Sequence, residues 1–448
     1  MKKFYIHTFG CQMNKYDSEV ISGILTNASF SNTPCFTEAD VILVNTCSVR
    51  EHAEQRAYSK LIEFLALKKN KKDLIVGVVG CLADAYAEGI LWLDHKRKLP
   101  TVDLIIGPNH IRNIDLYVKR ALNGEKPVIV VGDYKQDWEK DFTIDRVSSK
   151  KAWIAISKGC NSFCSYCIVP YVRGREESKP VSEILKEVRK LVQSGYREIN
   201  LLGQNVNSYG KDLNEGIDFA DLLRSIDELE GDFWIRFFTS HPKDIPAKLV
   251  ETISKSKRIC NHFHLPIQSG SDKILKLMNR GYTASYYKNK VKEIRDKIKE
   301  ISITSDIIVG FPGESEEDFN ETIKLVKEVR FDFAFTFKYS PRTKTKAYEL
   351  KDDVKKEDKQ QRLSILMGVQ NQIALENNKE LIGRILKVLV ERDTSQKNEV
   401  CRTETNKIVE ITNKDKIKQD FISVKIIKAS PYGLKGEEVC QGQGRLTP

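Results

Sequence analysis

The sequence predicts an α/β chain of several domains, and three observations carry that expectation. Strand-like and helix-like segments alternate over the first hundred or so residues, and the alternation restarts at Trp153 and repeats six times. Beyond Lys379 the pattern changes to short β-type runs with polar turns between them. Apolar, β-branched strands separated by helices indicate a parallel sheet covered on both faces. A chain of 448 residues also exceeds one ordinary core.

In the first domain, 1–132, strands are expected at 4–8, 41–44 and 74–79, each followed by a helix, the longest at 51–69. An open parallel sheet binds ligands outside the carboxyl ends of its strands. Cys11, Cys47 and Cys81 each fall within a few residues of such an end, so they are expected to converge in one crevice. Cys35 lacks that placement and reads as structural. Residues 132–151 are polar and aperiodic, the composition of a linker.

In the second domain, 146–376, strands are expected at 153–157, 198–202, 234–239, 262–267, 301–309 and 333–339. Helical patterns at 181–194, 219–229, 286–299 and 316–330 lie between them. Six right-handed βα units without a seventh and eighth predict an incomplete TIM-like (β/α)6 barrel, open on one side. Its active site would lie at the carboxyl ends of the strands. The loop after the first strand, Lys158-Gly-Cys-Asn-Ser-Phe-Cys-Ser-Tyr-Cys167, places Cys160, Cys164 and Cys167 in a CxxxCxxC spacing. Clustered thiolates select zinc, copper(I) or iron–sulfur clusters. Structural zinc and electron-carrying clusters close with four ligands, so three cysteines indicate a cluster with one iron open. A zinc-knuckle fragment or buried free thiols are the competing readings.

A charged helix expected at 355–379 would close this barrel or lead out of it. The third domain, 379–448, carries β-type runs at 385–390, 407–411 and 421–427, the right size for a small closed β-barrel. Arg392, Lys397, Arg402 and Lys407 recur along it, as in small barrels that bind RNA through backbone charge. Cys260, Cys401 and Cys440 follow no ligand spacing.

Charged residues make up 30% and apolar ones 40%, a globular balance. The longest apolar runs, such as Leu74-Ile-Val-Gly-Val-Val-Gly80, are too short to cross a bilayer, and no secretory h-region is present. A cytoplasmic protein with no membrane partner is expected, and ten cysteines in such a chain favour metal or redox chemistry over disulfides. The net charge of +11 favours an acidic partner, nucleic acid above all; a solubilising surface is the alternative.

The CxxxCxxC loop resembles the signature of the radical S-adenosylmethionine (SAM) enzymes, in which the open iron chelates SAM and one electron yields a 5′-deoxyadenosyl radical. Thr8-Phe-Gly-Cys-Gln-Met-Asn14, Asn45-Thr-Cys-Ser-Val-Arg50 and Val79-Gly-Cys-Leu82 resemble the N-terminal motifs of the radical SAM methylthiotransferases. The segments 401–407 and 423–429 resemble the TRAM domain, an RNA-binding module, except that Cys401 stands where that family usually has Gly.

The resemblance implies two [4Fe-4S] clusters, one on Cys160, Cys164 and Cys167 that cleaves SAM, and one on Cys11, Cys47 and Cys81 that supplies sulfur. It implies a SAM pocket lined by Leu202-Gly-Gln-Asn205, Pro266-Ile-Gln-Ser-Gly-Ser271 and Val309-Gly-Phe-Pro-Gly-Glu314, with Gln204, Gln268 and Ser269 as candidate contacts. Each of these three is also a candidate turn or capping residue. Arg173 and Arg175, in Tyr171-Val-Arg-Gly-Arg175, would meet RNA phosphate at the mouth, with a surface salt bridge as the alternative; Arg402 and Lys407 are the RNA candidates of the third domain.

Phe9-Gly-Cys-Gln-Met-Asn14 and Cys167-Ile-Val-Pro-Tyr-Val-Arg-Gly-Arg-Glu-Glu-Ser178 resemble the branch that acts on isopentenyladenosine in tRNA. Branches that modify threonylcarbamoyladenosine or a ribosomal-protein aspartate usually show Lys or Pro where Gln12 stands. The implied reaction is methylthiolation of carbon 2 of the adenine beside the anticodon, with SAM as both radical source and methyl donor. Its partners would be the tRNA anticodon loop and an external reductant such as flavodoxin or ferredoxin, and the chain would act as a monomer. Those other substrates, and a non-catalytic metal-stabilised RNA-binding protein, stay open at this point.

Overall fold

The computed structural model describes all residues except 49–50, 88, 91–100, 136, 139–141, 215, 392–398, 412–416, 418 and 440–448, and all side chains but those and 51–53. Arg392, Lys397 and Cys440 therefore lie outside the described residues.

The first domain holds β1 (Lys3–Thr8), α1 (Gln12–Asn27), β2 (Ser31–Asn32), β3 (Val41–Thr46), α2 (Glu51–Leu67), β4 (Ile75–Gly80), α3 (Cys81–Ala85), β5 (Leu104–Ile106), α4 (Ile114–Leu122) and β6 (Val128–Val130). Its strands form one parallel sheet in the order β2-β1-β3-β4-β5-β6. The alternation of β3 explains why: Val41 and Leu43 pack with α1 and α4, while Ile42 and Val44 pack with α2. Each is fully buried, worth on the order of 2 kcal/mol apiece. The chain reverses its direction of travel across the sheet between β1 and β3, so that edge is the topological switch point.

Residues 142–146 of the expected linker are packed down. Phe142 and Ile144 pack against the first core, Ser22 Oγ donates to Asp145 (2.7 Å), and Arg146 pairs with Glu19 (3.4 Å) and Glu187 (2.6 Å) across the domain boundary.

The second domain alternates β7 (Lys151–Ala155), β8 (Ser157–Lys158), α5 (Val169–Val172), β9 (Glu177–Ser178), α6 (Val181–Gln193), β10 (Glu198–Leu202), α7 (Phe219–Asp227), β11 (Trp234–Phe237), α8 (Ala247–Lys255) and β12 (His262–His264). It continues with α9 (Asp272–Leu277), α10 (Ala284–Lys297), β13 (Ser302–Val309), α11 (Glu316–Val329), β14 (Phe333–Lys338) and α12 (Lys356–Lys379). The expected six-stranded arc is divided into two parallel sheets, β7-β10-β11 and β12-β13-β14. They meet at a looser seam, where Ile235 bridges Ile259 and the Ser240 amide donates to the His264 carbonyl (3.2 Å). Strand β12 stops at His264 rather than residue 267, because Pro266 has no N–H to give a neighbour and Gln268 takes φ +74°.

The third domain is a closed barrel, β15 (Ile385–Val390), β16 (Glu399–Thr403), β17 (Ile408–Ile411), β18 (Phe421–Ser430) and β19 (Gly433–Glu438), in the order β15-β16-β17-β19-β18. Cys401 lies inside its core with Val388 and Val409. The barrel docks under the amino ends of the second domain's strands. Arg236 pairs with Glu198 (3.0 Å) and donates to the carbonyls of Thr403 and Glu404 (3.1 Å each), while Asp420 takes Lys150 (2.8 Å) and Arg197 (2.9 Å). Cys260 is buried in this joint beside Trp234 and Leu389. Cys35, read as structural, is exposed and contacts the Thr37 hydroxyl. Among the described residues no helix is long and apolar enough to cross a membrane.

Candidate active site

Cys11, Cys47 and Cys81 follow β1, β3 and β4 directly, at and beside the switch point. The Cys11 thiol hydrogen-bonds with Cys47, which with burial opposing and Arg173 assisting lowers it to about 6. Two glycines make the convergence possible. Gly10 (φ +121°) has no room for a Cβ, which would fall 2.5 Å from the Cys47 Cβ. Gly80 (φ +93°, ψ −159°) would drive one to 2.6 Å from both the Asn45 side chain and the Thr46 carbonyl. Buried asparagines tie the loops together: Asn14 Nδ2 donates to the Thr46 carbonyl (2.7 Å), and Asn45 Nδ2 donates to the Asn14 carbonyl (2.8 Å).

The second triad rides on one excursion between β8 and β9, which pair antiparallel and close it at the base. Gly159 (φ +71°), immediately before Cys160, faces the Arg175 carbonyl at 2.0 Å from where a Cβ would sit. The tip is fastened elsewhere: the Ser165 amide donates to the Met278 carbonyl (3.0 Å), its hydroxyl to Leu277 (2.8 Å), and Asn279 to the Phe163 carbonyl (2.9 Å). Arg280 Nη1 donates to Cys164 Sγ (3.1 Å). Burial, then the charge of Cys164, pushes the Cys167 thiol up to about 12, and burial raises Cys160 as well.

Arg173 joins the two loops. It follows the second triad on the chain, yet its Nε donates to Cys81 Sγ (3.3 Å) and its Nη2 to Asp17 (2.7 Å), with Ile168 and Val172 packed on Cys81 and Ala85. Burial alone would lower its pKa, but Cys81, Asp17 and Cys11 hold it well above the ordinary value. The expected phosphate contact of Arg173 is therefore corrected: the guanidinium is buried because the Asp17 carboxylate and the Cys81 sulfur of the first domain claim it. Two others are corrected likewise. Arg402 is bound to Glu391 (2.5 Å), and Lys407 is bound to Asp332 (2.6 Å) and Asn378 (3.0 Å) in the docking joint. Arg175 is exposed, stacked 4.4 Å above the Phe163 ring beside the second triad.

Of the SAM candidates, Gln204 has a buried Oε1 without a partner, and Gln268 is buried with its backbone held by Asp306 and Ile308. Ser269 is turned into the packing, its hydroxyl against Thr322 (3.3 Å) and the Ser271 amide (3.2 Å). Sequence reasoning missed Ser157, Ser240 and His241, whose Oγ, Oγ and Nε2 are also buried and unpartnered at strand ends. It missed Arg280 as well. No spacing marks these residues; only the fold gathers them.

The donor sets fit the expected groups. Crowded thiols, of which Cys47, Cys81 and Cys164 are buried and Cys11 is exposed, are stabilised as thiolates beside a cation, which a cluster would supply. Among the described residues no three His, Cys, Asp or Glu side chains close on a single metal ion. The orphaned polar atoms at the strand ends await a polar ligand.

Residues 154–326 match the Radical SAM superfamily, residues 3–107 match the uncharacterized protein family UPF0004, and residues 379–439 match the TRAM domain. The chain is 48% identical over 441 residues to the tRNA-2-methylthio-N(6)-dimethylallyladenosine synthase of Clostridium tetani, covering 97% of this chain and 96% of the relative. It is 45% identical to the synthase of the same name from Carboxydothermus hydrogenoformans, covering 97% and 99%. Among solved structures, the radical SAM methyltransferase TsrM from Kitasatospora setae, with tryptophan and aza-SAM bound, matches with a TM-score of 0.55 over 75% of this chain and 73% of that one. At 12% identity this is a likeness of fold. With domain matches in the order of the three folded units and relatives this similar over nearly the full length, the chain belongs to the tRNA-2-methylthio-N(6)-dimethylallyladenosine synthase family of radical SAM methylthiotransferases, enzymes that work with an iron–sulfur cluster and SAM.

Proposed function

We propose that this enzyme methylthiolates carbon 2 of isopentenyladenosine beside the anticodon of tRNA, with Cys160, Cys164 and Cys167 holding a [4Fe-4S] cluster that cleaves SAM and Cys11, Cys47 and Cys81 holding a second that supplies sulfur. The observation that carries this reading is the pair of three-cysteine loops at facing strand ends of two domains, joined through Arg173. An aromatic C–H bond has no acidic proton, and the clusters and SAM, when bound, supply the radical and sulfur chemistry that side-chain acids and bases lack.

The chain's own residues bind and position. The His241 Nδ1 accepts the Lys243 amide (3.4 Å), which assigns the proton of its neutral ring to Nε2. That N–H is a donor for the carboxylate of SAM, Gln204 Oε1 is an acceptor for a ribose hydroxyl, and Gln268 lies on the same wall. Ser269 supports this wall from behind. Arg175 meets the phosphate backbone at the mouth, and the packed interior of the half-barrel keeps water from the reacting carbon. The natural partners on this reading are the tRNA anticodon loop and a flavodoxin or ferredoxin reductant in the cytoplasm, and the monomer is the working unit.

Anaerobic reconstitution of the full chain tests it, with about eight irons expected. Replacing either triad with alanine should remove about half of them. A deletion strain should lose the methylthio-isopentenyl nucleoside from its tRNA, as read by mass spectrometry, and regain it with the intact gene alone. Persistence of that nucleoside in the deletion strain overturns the substrate; iron unaffected by either triad overturns the cluster assignment.

A further inference from the structure

Each cysteine triad is met by one buried guanidinium, and the two differ in what balances their charge. Arg280, 4% exposed, donates to Cys164 Sγ (3.1 Å), to the Pro266 carbonyl (2.7 Å) and to the Tyr282 hydroxyl (2.9 Å). No carboxylate pairs with it among the described residues; its remaining contact is the Tyr166 hydroxyl (3.4 Å). Arg173, 6% exposed, makes the same kind of contact to Cys81 (3.3 Å), but its other arm lies 2.7 Å from the Asp17 carboxylate. Arg280 therefore reaches its triad without a carboxylate partner of its own, whereas Arg173 reaches the other triad as half of an ion pair.

Hydrogen bonds to the sulfurs and local charge are the protein's means of setting a cluster's potential. A cation within contact of a thiolate favours the state that carries one more electron, and it does so strongly where water is excluded. We propose that Arg280 directs the first electron from a one-electron donor of the reduced flavodoxin or ferredoxin class to the cluster on Cys160, Cys164 and Cys167, while the Asp17–Arg173 pair leaves the cluster on Cys11, Cys47 and Cys81 harder to reduce. The step adds one electron to one cluster, oxidises the donor by one electron and moves no proton. The electron then stands where SAM cleavage consumes it, and the sulfur-supplying site is spared. This inference rests on the two-cluster reading above.

The test is an EPR-monitored redox titration of the full-length protein carrying one triad at a time. One form carries Cys11→Ala, Cys47→Ala and Cys81→Ala; the other carries Cys160→Ala, Cys164→Ala and Cys167→Ala. Iron content, about four per form, tests the two-cluster reading separately from the potentials. The first form should show the higher midpoint. Adding Arg280→Gln should lower that midpoint, and Arg280→Lys, which keeps the charge, should retain most of it. In the second form Asp17→Asn should raise the midpoint, whereas Asp17→Asn with Arg173→Gln should return it near its starting value. Equal or reversed midpoints at full iron content overturn the proposal, as does an Arg280→Gln midpoint that does not move. Should Arg280→Gln fail to load iron, an unmoved midpoint in Asp17→Asn overturns it equally.

Discussion

Gly80→Ala is the sharpest test of how the first triad is assembled. Gly80 ends β4 at φ +93°, ψ −159°, a region in which essentially only glycine is stable, at a cost of roughly 1–3 kcal/mol for any other residue. Its missing side chain also matters, because a Cβ would stand 2.6 Å from both the Thr46 carbonyl and Asn45 Oδ1. Neither can retreat: Thr46 is in register with Gly80 in the sheet, and Asn45 is fully buried and bonded to the Asn14 carbonyl. Overpacking of this kind adds about 1–3 kcal/mol, for a total of about 2–6 kcal/mol. That is a large share of a domain's 5–15 kcal/mol, and it falls on the residue before Cys81. Gly124→Ala is the control, since Gly124 has a similar φ of +95° and open space around it. In urea melts of the full chain, Gly124→Ala should cost only the left-handed penalty of about 1–2 kcal/mol. Reconstituted in the background lacking Cys160, Cys164 and Cys167, Gly80→Ala should fail to retain iron while Gly124→Ala retains it. Equal destabilisation by the two variants, with iron kept in both, would refute the claim that crowding at this turn aims Cys81.

Three other expectations follow from the same structure. Arg175→Ala should weaken tRNA binding and lower the dependence of log affinity on log salt by about one phosphate contact, leaving iron content unchanged; a filter-binding salt series reads both. Lys407→Ala removes a largely buried partner of Asp332 and Asn378. It should loosen the C-terminal barrel by about 3 kcal/mol, at the low end for breaking a buried pair, seen as faster proteolysis near residue 380 with the cysteine sites intact. Burial, with Arg280 and Lys243 nearby, lowers His241 to about 2, so the folded protein keeps it neutral where the unfolded chain, near 6.5, binds a proton. Stability from this group is complete above pH 6.5 and declines as pH falls toward the folded value. His241→Gln should therefore reduce the loss of stability between pH 6.5 and pH 5 by up to about 1.4 kcal/mol per pH unit, measured by urea melts.

What was legible in the sequence was what local pattern encodes. The strand ends before Cys11, Cys47 and Cys81 stood out because β1, β3 and β4 are short apolar runs bounded by polar turns, and sheet topology did the rest. Strands β5 and β6, three residues each, are too short to show a period. Strand β19, Gly-Leu-Lys-Gly-Glu-Glu, is a poor strand former that closing the barrel between β17 and β18 imposes. Arginine roles were misread for a different reason. Arg173 looked like a surface cation because its partner Asp17 lies 156 positions away, and Lys407 because Asp332 lies 75 away. A basic residue near a proposed mouth carries no mark of whether solvent, RNA or a distant carboxylate will meet it.

The placement of the third domain constrains how a nucleic acid can be held. The cysteine loops leave the carboxyl ends of the strands, whereas Arg236, Arg197, Lys150 and Lys407 dock the small barrel under their amino ends. Those two ends are separated by the length of β10 and its neighbours, which at about 3.3 Å per residue is some 17 Å for five residues. An RNA touching both would therefore run along the side of the half-barrel, where β7 and β14 are edge strands that do not pair with each other. Of the cations first expected to grip it, Lys407 is paired in the joint and Arg402 is paired with Glu391 and Asn406 inside its own barrel. Among the described residues, the outward groups left for such contact include Lys425, Lys428 and the exposed Tyr432 on the barrel and Arg175 at the mouth. The barrel groups belong to the amino ends of the strands and Arg175 to the loop at their carboxyl ends, so a short single strand held by one of them leaves the other empty. A folded stem with a projecting loop can meet both and still deliver one base to the cysteines.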